Sequence, residues 1–156
     1  MAGVGKIRGL NEVLRNLNKE IEKIQKGTKA GLTEACLIVK ADSVRNTPID
    51  VGNLRSSAFI TVTDGKPDNP SPTFKDDDQG MASRHANVVK QMASITDGPP
   101  EKYSGVIAYS AFYALWVHEM PEHYNFNSGS NKFLQRSLLK NKKRILASIK
   151  KHSRIK

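Results

Sequence analysis

Two histidines with a glutamate between them come nearest, among all residues of this 156-residue chain, to the spacing of a metal site. They lie in the segment His118-Glu119-Met120-Pro121-Glu122-His123. A zinc-protease helix places two histidines four residues apart on one face, with a glutamate beside them. Here the histidines are five residues apart and Pro121 lies between them. The segment therefore predicts a helix end followed by a loop, with two surface or interface histidines.

Motifs for nucleophilic or cofactor chemistry are missing from the sequence. Cys36 is the single cysteine, so a disulfide within the chain and a multi-cysteine metal site are excluded. Its apolar neighbours favour a small core residue over a nucleophile. Asp76-Asp77-Asp78 lacks the glycine and the distal glutamate of a calcium loop, and no glycine-rich phosphate loop is present. We therefore expect no catalysis, no metal and no cofactor.

The positive charge of the chain is concentrated at one end. The net charge is +10, yet residues 1–130 contain 15 basic and 15 acidic side chains. Residues 131–156 contain 10 basic side chains and no acidic one. This asymmetry predicts a local electrostatic role, with nucleic acid, an acidic protein surface or an anionic membrane surface as candidate partners.

These basic side chains fall in the clearest helix of the sequence, predicted over about residues 132–151. One interpretation is an ordinary amphipathic helix that docks by its apolar arc and leaves its lysines solvated. The other is contact with phosphate groups, to which lysine and arginine give strong, salt-dependent affinity. The apolar arc contains Leu134, Leu138, Leu139, Ile145, Leu146 and Ile149; the candidate contacts to DNA or an acidic partner are Lys132, Arg136, Lys140, Lys143, Arg144, Lys150 and Lys151.

Apolar residues recur at three- and four-residue spacing near the start of the chain and predict a helix over residues 9–25. Thr28 is a candidate N-cap for a second helix that runs to about Asn46, where the approach to Pro48 ends it. A single long helix is equally compatible with the pattern. In the following turn Gly52 permits a sharp change of direction, so that Leu54 enters the core.

Residues rich in β-branched types predict two strands, over residues 56–63 and 104–109. In the first strand Phe59, Thr61 and Thr63 fall on one face and Ala58, Ile60 and Val62 on the other. Helices are expected over residues 82–95 and 111–119. The chain is predicted to be one domain, residues 1–156, of α+β class. In it an N-terminal helix or helix pair and the basic C-terminal helix pack on a small, mainly antiparallel sheet, with a partly mobile loop or insertion at about residues 65–103.

Three segments carry a resemblance to a known family. They are Thr47-Pro48-Ile49-Asp50-Val51-Gly52-Asn53-Leu54-Arg55-Ser56-Ser57, then Tyr109-Ser110-Ala111-Phe112-Tyr113-Ala114-Leu115-Trp116-Val117-His118-Glu119-Met120, then Lys132-Phe133-Leu134-Gln135-Arg136-Ser137-Leu138. In this order they resemble the head–tail joining and tail-completion proteins of tailed phages, the group that includes lambda's minor tail protein Z. The resemblance covers most of the chain outside residues 65–103.

The resemblance implies a structural virion protein without enzymatic activity, assembled in the host cytoplasm and located at the neck. There it would form a sixfold or twelvefold homo-oligomeric ring between the head connector and the tail tube. Expected partners are adaptor, terminator or tail-tube proteins and genomic DNA in the lumen, but no membrane. The alternative is a basic nucleic-acid-binding accessory protein that acts through its C-terminal helix. The motif positions are Pro48, Gly52, Asn53, Leu54, Arg55, Tyr113, Trp116, Val117, His118, Glu119, Phe133 and Leu134.

The motif residues also carry structural expectations. Arg55 is expected to pair with Glu119 or another acidic neighbour. Tyr113, Trp116 and Val117 fall at helical spacing and are expected in the core, although Trp116 would be a strong anchor if it faced another subunit. Phe133 and Leu134 are expected to pin the last helix to the sheet.

Overall fold

The structure is a computed structural model, and it describes residues 9–63, 66–75, 80–98 and 103–153. It confirms the predicted α+β class: a long N-terminal helix and a C-terminal helix pack together beside a small antiparallel sheet. No helix within the described ranges is long and apolar enough to cross a membrane. In chain order the elements are α1 (Leu10–Asn46), α2 (Asn53–Ser56), β1 (Ala58–Val62), α3 (Met81–Thr96), β2 (Gly105–Tyr109), α4 (Ala114–Glu119) and α5 (Phe133–Ser153).

Helix α1 settles the question that the sequence left open, because it is one continuous helix of 37 residues. Gly27, which interrupts the apolar pattern, does not interrupt the helix. It lies instead against the end of α5, since a Cβ added there would overlap the His152 carbonyl oxygen. Asn46 reaches Ser137 at the other end of the contact, so the two helices run in opposite directions.

The face by which α5 docks coincides only in part with the predicted arc, of which Leu134, Ile145 and Ile149 are half-buried. Its buried side chains along α1 are the small or polar Ser137, Asn141 and Ser148. Leu138 and Leu139, from the predicted docking arc, are instead 51% and 66% exposed. The physical reason is close approach: glycines on α1 bring the backbones so near that only small side chains fit between them.

The first half of α1 has no partner within the described part of the chain. Helix α5 ends at Ser153, beside Gly27. Every residue from 9 to 24 is exposed, including the leucines and isoleucines of the predicted apolar face. At about 1.5 Å per residue, roughly 25 Å of helix extends past the end of α5.

The two strands form the predicted antiparallel pair, with Ala58 opposite Tyr109 and Val62 opposite Gly105. The predicted division of β1 into two faces is confirmed. Ile60 and Val62 pack against Cys36 of α1, so the thiol is a core group, as expected. Burial raises the pKa of this thiol to about 11. On the other face, Thr61 shares a hydrogen bond of 2.9 Å with Thr96 of α3.

Part of the predicted insertion is tied to the sheet by a buried histidine. His85 of α3 is 1% exposed, and its ring nitrogens lie 2.6 Å from Ser110 Oγ and 2.8 Å from the Asn69 carbonyl oxygen. Its ring also makes edge contacts with Phe59 and Phe74. The segment 66–75 is thereby held against β1. The acidic run 76–78 lies outside the described residues.

Candidate functional site

The first family-like segment forms the turn after α1. Thr47 has the extended backbone expected of a residue before proline, and Gly52 adopts the left-handed conformation at φ 94°. Asn53 is buried and makes two backbone hydrogen bonds of 2.8 Å with Lys75, one through each side-chain atom. Leu54 enters the core, as predicted. The segment therefore joins α1 to the start of the sheet and fixes the end of the 66–75 segment.

Arg55 does not pair with Glu119, contrary to the first expectation. Its guanidinium donates hydrogen bonds of 2.8 to 3.0 Å to the carbonyl oxygens of Thr47 and Arg45. These carbonyls lie at the C-terminal end of α1, where backbone acceptors have no partner inside the helix and a positive charge is favourable. Arg55 therefore caps α1 and secures the following turn.

The second segment begins at Tyr109, the last residue of β2, and contains the six-residue helix α4, which turns one side toward the core. Tyr113 and Val117 pack against the core cluster, as expected. Trp116 does not, because it is 77% exposed, and its neighbour Leu115 is 70% exposed. A helix this short covers the core with a single face, so the residues on its other side lie at the surface.

The third segment is locked onto the second. The Lys132 backbone amide donates to the His118 carbonyl oxygen at 2.8 Å, and its ammonium contacts Glu119 at 3.0 Å. Phe133 is 1% exposed, and its ring makes edge contacts with Tyr109 at 5.0 Å and with His118 at 4.9 Å between centroids. Phe133 therefore pins α5 to the sheet, as expected, with Leu134 partly buried against the same cluster.

Glu119 is held ionised by its neighbours rather than prepared for proton transfer. The hydrogen bond from Lys132 is the largest cause that lowers the pKa of this carboxyl, and the one from His118 Nδ1, at 2.7 Å, comes next. His118 Nε2 is buried without a hydrogen-bond partner in the described structure. No group of three or more His, Cys, Asp or Glu residues among the described ones is placed to hold a metal ion. This arrangement organises the turn between α4 and α5.

The first two segments meet around an open cleft of about 400 Å³. Ile49 and Leu54 line one side of it, Val117 and Met120 another, and Tyr124 from the following loop closes it. A second, shallow cavity of about 490 Å³ lies against Trp116 and Leu115, with Pro121 at its edge. The apolar walls of this second cavity, beside an exposed tryptophan, suit the side chains of another protein better than a small polar substrate.

Several cations of α5 are already paired within the chain. Lys132 contacts Glu119, Arg136 lies 3.6 Å from Glu122, and Lys140 lies 2.8 Å from Asp42. The Arg144 guanidinium donates to Asn141 Oδ1. In the described ranges, Lys143, Lys150 and Lys151 make no ion pair within 4 Å, and they lie on the exposed part of the helix. A phosphate partner of α5 would therefore meet these three lysines first.

We expect stability to depend on pH through Asp42. The Lys140 ammonium is the largest cause that holds the pKa of this carboxyl below its ordinary 3.8, and hydrogen bonds from Ser137 and Asn141 act in the same direction, against burial. A lowered folded-state pKa gives stability that is present above the unfolded-state pKa and lost as pH falls through the folded value. Urea unfolding between about pH 5 and pH 3 should therefore show a shallower loss of stability for Asp42→Asn than for the wild type. Lys140→Gln should flatten the curve in the same way, and equal slopes for all three proteins would contradict the prediction.

Sequence reasoning missed the residues that hold α1 to α5. The single hydroxyl hydrogen of Ser148 is shared between the Gly31 carbonyl oxygen, 3.1 Å from Oγ, and Glu34 Oε2, 2.7 Å from Oγ. His152 Nε2 lies 2.8 Å from the same carboxylate oxygen. The signal in the sequence was the spacing of small residues four apart, Gly27, Gly31 and Ala35, which lines one helix face with no bulky side chain.

In comparisons with known proteins, the chain matches no protein-family model, no curated protein and no solved structure.

Proposed function

We propose that this protein is a structural component of a tailed-phage neck, where it forms a ring that joins the head connector to the tail tube without catalysis. One observation carries the proposal. The three segments that resemble the head–tail joining proteins, although separate in the sequence, pack into one core cluster that buries Leu54 of the first, Ala114 of the second and Phe133 of the third.

The surface of that body supports a role in assembly. Trp116 and Leu115 are the most exposed of the large apolar side chains in the described structure, and they flank an apolar cavity. Tryptophan in such a setting is a typical anchor of a protein interface, because it buries a large area when a partner covers it. We assign this patch to the contact with the next component of the neck.

Cryo-electron microscopy of intact virions tests the proposal. We expect a ring of this protein between portal and tail tube, with its symmetry visible in the density. Trp116→Ser should leave the purified protein folded and should strongly reduce its incorporation into particles. The matched control, Ile95→Ser, removes another exposed apolar side chain, 60% exposed on α3, and should be incorporated normally. Absence of the wild-type chain from particles, with soluble monomer in the lysate, would refute the proposal.

A second candidate is a nucleic-acid-binding accessory protein. It is favoured by Lys143, Lys150 and Lys151, which make no ion pair within 4 Å in the described part of the chain. Removal of residues 140–156 is a poor test, because Asn141 and Ser148 hold α5 to α1. The better test replaces the three lysines with glutamine and measures retention of duplex DNA at several salt concentrations. A control with the same loss of charge replaces Lys19, Lys66 and Lys90, which are exposed elsewhere. Two results together would favour this candidate. The first variant loses DNA retention while the control keeps it, and the chain is absent from virions.

A further inference from the structure

Two apolar helix surfaces remain uncovered in the described structure. The first, here called the α1 seam, has the strict 4-3-4-3 spacing of a coiled-coil interface. The same line of residues continues along α1 through Gly31 and Ala35, where α5 covers it. The seam is therefore the exposed continuation of a helix–helix contact that the chain already makes. Its members are Leu10, Leu14, Leu17, Ile21 and Ile24, each 44% to 54% exposed.

The second surface, here called the α5 stripe, is the arc that α5 does not use to pack on α1. Leu138, Leu139 and Leu146 are 51%, 66% and 60% exposed, and Ile145 and Ile149 beside them are half-buried. Removing such side chains from water is favourable by about 25 cal/mol per Å² of apolar surface buried. Two separate uncovered stripes on one chain are the arrangement that a head-to-tail contact between copies would use.

The charges beside the two surfaces are compatible with each other. Lys142 lies within the angular range of the stripe, and Lys143 and Lys150 lie at its edge. Residues 131–156 contain no acidic residue, so two α5 stripes would repel one another. At 100° per residue, the four basic residues in the first half of α1 fall opposite the seam. Glu20 and the amides of Asn11, Asn18 and Gln25 lie beside it. When the α5 stripe packs on the α1 seam of a second copy, the lysines of α5 therefore meet no basic side chain.

The dimensions of the surfaces also agree. The seam runs for about 21 Å along α1, and the stripe for about 17 Å along α5. Covering both removes on the order of 1,000 Å² from water, counting the two sides together, which is near the lower bound for a specific protein interface.

We propose that the α1 seam of one copy packs against the α5 stripe of a second copy. The contact joins two different patches, so it is heterologous and leaves one seam and one stripe free for further copies. This deepens the proposed function by naming the contact between subunits of the ring, and it rests on that function only for the closure of the ring.

Complementary variants test the contact in solution. The seam variant carries Leu14→Gln, Leu17→Gln and Ile21→Gln, and the stripe variant carries Leu139→Gln and Leu146→Gln. The wild type should form oligomers by analytical ultracentrifugation, and each variant alone should remain a monomer, with a dissociation constant raised at least about 100-fold. An equimolar mixture should form a 1:1 dimer and nothing larger, because each variant keeps one intact surface. A control with Leu37→Gln and Ile95→Gln should behave as the wild type.

The other outcomes overturn the contact in distinct ways. A monomeric wild type, or a mixture that stays monomeric, refutes it. Dissociation by the seam variant alone, with the stripe variant still oligomeric, shows that α1 seams pair with each other. If the mixture forms the dimer but virions lack the chain, the neck function fails and the contact stands. If a neck ring is seen and the mixture does not associate, the function stands and the contact fails.

Discussion

Replacing Gly31 with leucine is expected to push α5 away from α1 and to lower the free energy of unfolding by about 2–3 kcal/mol. A Cβ at this position would lie 2.8 Å from Ile149 Cα and 3.1 Å from the Ser148 carbonyl oxygen. Both are backbone atoms, so no rotamer change relieves the overlap and the helices must separate. The hydrogen bond from Ser148 to the Gly31 carbonyl oxygen, 3.1 Å long, would then lengthen or break. The gain in helix propensity, about 1 kcal/mol for replacing a glycine, offsets only part of this cost.

Urea denaturation followed by circular dichroism measures the effect. The matched control is Ala41→Leu, at an exposed position of the same helix, which should change stability by no more than about 0.5 kcal/mol. Amide hydrogen exchange provides an independent readout, since faster exchange should be concentrated in α5. A Gly31→Leu protein as stable as the control, with α5 still protected, would show that the helix pair tolerates the added side chain.

The parts of the fold that the sequence predicted are those set by local pattern. The strands follow from β-branched residues, and the alternation along β1 places Ile60 and Val62 on the α1 face because strand geometry requires it. Proline before the turn and glycine within it likewise fix the end of α1. These signals do not depend on which distant element comes to lie nearby.

The errors arose where the identity of the neighbour decides burial. The apolar arc of α5 was expected to be its docking face. At the glycines of α1, however, the two helices approach so closely that only small side chains such as Ser148 fit between them. Trp116 fell at core spacing in a helix that proved too short to be covered on both sides. Arg55 donates to backbone carbonyl oxygens instead of an acidic side chain, and no pattern of charged residues in the sequence indicates such a partner. In each case the deciding group is contributed by a segment remote in sequence.

Truncating Phe133 to alanine is expected to cost about 3–5 kcal/mol, because it removes a large, fully buried ring and leaves a cavity. The ring lies between Tyr109 of β2 and His118 of α4, so its loss separates α5 from both. We therefore expect a lower urea midpoint and, in the folded fraction, weaker protection of α4 from hydrogen exchange. Phe112→Ala is the matched control, since it deletes the same atoms from a side chain that is 49% exposed, and it should cost about 1 kcal/mol. Equal losses for the two variants would show that α5 is held by its contact with α1 alone, and that the family-like segments do not form one cooperative body.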